Sequence, residues 1–126
     1  MEDRMKTLFN VNLVIAVLFG LGFAFVPGTM MDLYGVSLND PGITVARIYG
    51  SAILSFAVLL WYAGRSNDPG TFKAASRTLF TYWFLGTIFL IIAQLDGQMD
   101  AVAGWGTVGL HAVFLIWYGI HIFLKR

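Results

Sequence analysis

Arg47 is the one cation of this 126-residue chain that falls inside a long apolar run, Ile43–Ala63. A guanidinium carries five N–H donors and a permanent charge, so its chemistry is to hold a carboxylate, a phosphate or a carbonyl oxygen. Ser51 and Ser55 follow at intervals of four, with Ala46 and Gly50 beside them. In a helix this spacing gathers small and polar groups on one face, which is expected to turn towards other helices and away from lipid. His111 is the second group of interest, because an imidazole can donate, accept or carry a proton. Thr107 and Tyr118 share its helical face, and His121 lies near it by angle. Gln94 and Asp96 close another apolar run.

At 1.5 Å per residue, Arg47 is expected about 6 Å inside one membrane boundary and His111 about 9 Å inside the same one. Gln94 and Asp96 fall at a similar level. The candidate pocket is therefore Arg47, Gln94, Asp96, His111 and Tyr118, opening outward. Arg47 could be structural there, snorkelling to headgroups or paired with Asp96, with Asp32, Asp40 and Asp100 as further counter-ions. Alternatively, Arg47 holds an anionic or carbonyl group of a small ligand while His111 supplies a hydrogen bond or proton. A buried contact with another membrane subunit is a third use of the same residues.

Several other chemistries find no support. The chain has no cysteine, and its two histidines stand ten residues apart on one segment, so no metal site or cofactor is expected. No Ser–His–acid arrangement follows from residue types alone. The string Gly104–Trp105–Gly106–Thr107–Val108–Gly109 matches a dinucleotide fingerprint, but that motif needs a preceding strand, and here it opens an apolar helix. Close helix packing explains it better.

The elements that must carry these residues follow from composition. Hydrophobic residues make up 58% and charged residues 12%, with mean hydropathy +0.74, too apolar for an ordinary soluble domain. Four runs approach the roughly 20 residues that cross a bilayer core: Leu8–Val26, Ile43–Ala63, Thr78–Gln94 and Trp105–Leu124. The third is short. Apart from Arg47, the basic residues sit at Arg4 and Lys6, at Arg65, Lys73 and Arg77, and at Lys125 and Arg126. The first and third loops hold only acidic residues, so both termini are expected to be cytoplasmic. The first run outlasts a signal-peptide core and lacks a small-x-small cleavage site before Pro27, so it is expected to remain as a helix.

Between the runs, residues 27–42 are expected to fold back on the membrane surface, as a cap or a lid. Gly35 would end a short helical turn, and Asn39 or Asp40 would cap the next helix. Residues 64–76 read as a plain polar connector. The fold class is an all-α membrane protein, an antiparallel four-helix transmembrane bundle forming one domain.

A resemblance adds to this reading. The order of apolar helix, Pro27, Tyr34–Gly35, then Ala46–Arg47 followed by Gly50 resembles small uncharacterised four-helix bacterial membrane proteins grouped near the DoxX-like families. The Ala46–Arg47-x-x-Gly50 segment with two further helices is also similar to the ergosterol-biosynthesis scaffold family. The resemblance implies a bundle without established catalysis, or a scaffold that tethers other membrane enzymes. Among the candidate residues, only Arg47 has a matching motif position.

The expected function is a non-enzymatic accessory or scaffold protein of a bacterial plasma membrane. Its expected partners are the lipid bilayer, other membrane proteins or further copies of itself, and no nucleic acid. The alternative is a small-molecule binding or transport protein that takes a small anionic or apolar ligand at Arg47 and His111. A third reading is a membrane enzyme acting on a lipid or quinone through His111 with Tyr118 or Asp96.

Overall fold

The computed structural model describes residues 2–124. Lys125 and Arg126, two of the basic residues counted above, lie outside the described residues. The described chain is helical, with α1 Glu2–Phe25, a short α2 Pro27–Asp32, α3 Asp40–Arg65, α4 Pro69–Leu95 and α5 Ala101–Gly119, which runs on into a π-helical turn Ile120–Leu124. Four segments are long and apolar enough to cross a membrane: Asp3–Phe25, Asp40–Arg65, Pro69–Leu95 and Ala101–Leu124. All four expected runs are present; the first ends one residue early, at Phe25, and the other three each lie within a longer helical segment.

The largest difference is in the third run. It is not short, because α4 begins at Pro69, nine residues before Thr78. Proline fits the first turn of a helix, where its missing N–H costs nothing. The expected connector over residues 64–76 is thus reduced to Ser66–Asp68, braced by the Asp68 amide donating to Ser66 Oγ at 3.0 Å. Residues 69–76 form the first two turns of α4.

The chain divides into two compact units, Met1–Asp68 and Pro69–Arg126. In the first, α1 and α3 pack side by side in opposite directions. Three contacts show the register: Phe23 and Tyr49 meet edge to face at 5.2 Å, Gly20 faces Leu54, and Lys6 Nζ donates to Asn67 Oδ1 at 2.8 Å. The buried residues of α3 are Ala46, Gly50, Ile53, Ala57, Leu60 and Ala63, a three-and-four spacing that marks one helical face. Small residues dominate it because helices in lipid associate through close packing, not through a hydrophobic drive. Helix α2 rests on α1 and α3, with Met30 lying over Gly22.

Helix ends follow local chemistry. Gly35 adopts φ 69° and Gly97 φ 68°, the left-handed region that glycine enters without penalty. After α2 the Gly35 amide donates to Asp32 O and that of Val36 to Met31 O; after α4 the Gly97 amide donates to Gln94 O and that of Gln98 to Ala93 O. Both are Schellman closures. Asn39 caps α3, its Oδ1 accepting from Gly42 N at 2.8 Å. Asp100 caps α5, its Oδ1 accepting from the amides of Val102 and Ala103 at 3.0 and 3.1 Å. We expect Asp100→Ala to destabilise the protein by about 1 kcal/mol, and Asp100→Asn to recover most of that. Thermal unfolding in detergent micelles measures both.

Candidate functional site

Arg47 belongs to the first unit, seven residues into α3, about 10 Å from the helix start at 1.5 Å per residue. The face it was expected to share is divided. Ala46 and Gly50 are buried, while Arg47, Ser51 and Ser55 are exposed. Adjacent residues stand about 100° apart around a helix, so the small residues can meet α1 while the polar stripe beside them stays uncovered. The two serines are satisfied locally, Ser51 Oγ donating to Arg47 O at 2.9 Å and Ser55 Oγ to Ala52 O at 2.6 Å. The guanidinium makes no hydrogen bond or ion pair among the described residues of its own unit.

The other four candidates lie in the second unit, where α4 and α5 run antiparallel. Gln94 is opposite Gly104, so closely that a side chain on Gly104 would overlap Gln94 Oε1. Gln94 is buried, and that oxygen has no hydrogen-bond partner among the described residues. His111 is opposite Gly86 and packs on Trp83, ring centroids 4.6 Å apart at 75°. Phe114 stacks on the same indole at 4.6 Å and 11°. Tyr118 is fully buried on the α5 face that also presents Gly104, Val108, His111 and Phe114. Asp96 is exposed beyond the end of α4.

The register also sets the position of His111 along its helix. Helix α5 begins at Ala101, not Trp105, and His111 faces residues 83–86 of α4. It therefore lies about 15 Å from the start of its helix, near mid-span, while Gln94 and Asp96 remain at the end. Within the second unit the candidates form two separate places: Gln94 against Gly104, and His111 among aromatic rings.

His111 Nδ1 lies 3.0 Å from Thr107 O. A carbonyl only accepts, so Nδ1 is the donor, and in the neutral imidazole Nε2 is left as an acceptor. Trp83, which the sequence reading did not single out, supplies a buried Nε1–H that has no hydrogen-bond partner among the described residues. Its helix carries many aromatics, and composition does not distinguish them. The usable signal was positional: Ser76, Trp83, Thr87 and Gln94 share the buried face of α4 at spacings of seven, four and seven residues.

The family model named domain of unknown function DUF8292 matches residues 10–125, nearly the whole chain. The chain belongs to this family. No curated protein and no solved structure matches it. The matched region takes in most of the first membrane-length segment and all of the other three, with Arg47, Trp83 and His111 inside it.

Proposed function

We propose that this protein is a multi-pass accessory protein of a bacterial plasma membrane, a scaffold that docks other membrane proteins through the Arg47–Ser51–Ser55 stripe of α3. The observation that carries the reading is the exposure of Arg47 well inside a membrane-length helix, on a face that α1 does not use. A charge at that depth is costly in hydrocarbon and calls for an oxygen-bearing partner. Two serines continue the stripe along the helix, and small hydroxyl residues allow another helix to approach closely. Almost every remaining residue serves spanning or packing.

The same reading takes the two helical units as one antiparallel four-helix bundle with both termini cytoplasmic. Its support is charge: Arg4, Lys6, Arg65 and Lys73 fall near helix ends that share one side in such an arrangement, and Arg77 lies eight residues into α4 from that same side. Asp32, Asp40, Asp96 and Asp100 fall at the opposite ends.

Native mass spectrometry of the protein released gently from its own membranes tests the docking face. We expect the unmodified protein in a larger assembly and Arg47→Ala as a bare chain with unchanged melting. A hydrogen bond to a charged group is worth about 1.5–3 kcal/mol, so co-purification should fall roughly tenfold or more. Arg47→Lys should restore it only in part, because the planar fork is lost. An assembly unaffected by Arg47→Ala refutes the reading. A small extra mass that vanishes in the variant supports a bound anionic ligand instead.

A further inference from the structure

The second unit contains a hydrogen-bond donor and an acceptor whose rings touch but do not satisfy each other. Trp83 is 4% exposed and His111 7%. Their rings meet edge to face, Trp83 Nε1–H has no partner among the described residues, and His111 commits Nδ1 to Thr107 O. The remaining His111 nitrogen, Nε2, is turned to Gly86, where a Cβ would come within 3.2 Å of it. Gly86 thus lets the imidazole edge approach the α4 backbone more closely than a side chain there would allow. Trp83 stands twelve residues before the end of α4 and His111 ten after the start of α5, about 18 and 15 Å along their helices. At mid-membrane no bulk water is at hand, and an orphaned buried N–H is costly.

We propose that Trp83 and His111 bind one hydroxyl group inside the membrane, its oxygen accepting from Trp83 Nε1–H and its hydrogen donated to His111 Nε2. The unpartnered indole donor and the imidazole acceptor at Nε2 are opposite in kind, so only a group that accepts and donates at once serves both. A carbonyl or an ether serves the indole alone, and a cation serves neither. The ligand is therefore a hydroxyl, either a water molecule or the O–H of an apolar alcohol dissolved in the bilayer. This site lies on α4 and α5 and uses no residue of the α3 stripe, so its failure leaves the docking reading untouched, and the reverse also holds.

The test is NMR of the full-length protein, labelled with 15N at tryptophan and histidine, in lipid nanodiscs. Trp83→Phe assigns the Trp83 indole resonance. Dodecan-1-ol should shift that resonance and the His111 Nε2 resonance together and saturably, while dodecane and dodecyl methyl ether leave His111 Nε2 unmoved. His111→Phe should weaken the alcohol response at least tenfold. If that variant does not fold, the His111 Nε2 resonance of the unmodified protein gives the same answer. A cross-peak between the indole N–H and water, with no response to the alcohol, identifies water as the hydroxyl. The proposal is overturned if neither alcohol response nor water cross-peak is seen. It is equally overturned if the ether moves both resonances as the alcohol does.

Discussion

Replacing Gly50 by alanine should unfold the first unit. A Cβ built at that position stands 2.8 Å from Gly20 O and Phe23 C and closer still to Ala24 N. All three are backbone atoms of α1, so no side-chain rotation relieves the clash, and the helices must separate along their length. Overpacking a fitted core typically costs 1–3 kcal/mol, and a backbone clash belongs at the upper end, about 3 kcal/mol or more. Separation also removes the packing of Ala46, Ile53 and Ala57, which helix association in lipid depends on. Gly109→Ala is the matched control, because nothing lies within 4 Å of that Cβ. There the change should be neutral or stabilising by up to about 1 kcal/mol, since alanine is the better helix former. Denaturant titration in mixed micelles, followed by circular dichroism, separates the two. Equal midpoints for Gly50→Ala and the unmodified protein would show that α1 and α3 do not pack this closely.

The contrast between these two glycines shows what could be read from the sequence. Four membrane-length helices, the closure at Gly35 and the cap at Asn39 or Asp40 were all legible, because each rests on local chemistry within a few residues. Which of fourteen glycines bears a close backbone approach was not, since that depends on the register of a partner helix some thirty residues away. The Arg47 stripe is legible as a pattern but not as a surface. Its spacing predicts one inward face for small and polar residues alike, whereas the buried face is set by the three-and-four spacing from Ala46 to Leu60, with the polar stripe beside it. Helix α5 likewise starts four residues earlier than its apolar run, at the Asp100 cap, which sets His111 ten residues from the helix start.

In the second unit the largest effect should come from Trp83→Ala. The indole is stacked on Phe114 and meets His111 edge to face, so its loss leaves a void between α4 and α5 that neither backbone can close. In a soluble core such a truncation costs about 3–5 kcal/mol. In lipid the transfer part of that sum largely disappears, because the exposed surface still meets hydrocarbon. What remains is lost packing, about 2–3 kcal/mol. Phe89 sits on the same helix but is 65% exposed, and Phe89→Ala should cost under about 0.5 kcal/mol. Comparable losses for the two would mean that α4 packs through its whole aromatic surface and not through the Trp83 face. Trp83→Phe then separates packing from hydrogen bonding at one position. It keeps a ring against Phe114 and His111 but removes the Nε1–H. An N–H left bare at that depth is a liability, and its removal would stabilise the unit. An N–H held by a hydroxyl is an asset, and its removal should cost about 1 kcal/mol, so the sign of this one change reports whether the mid-membrane donor is occupied.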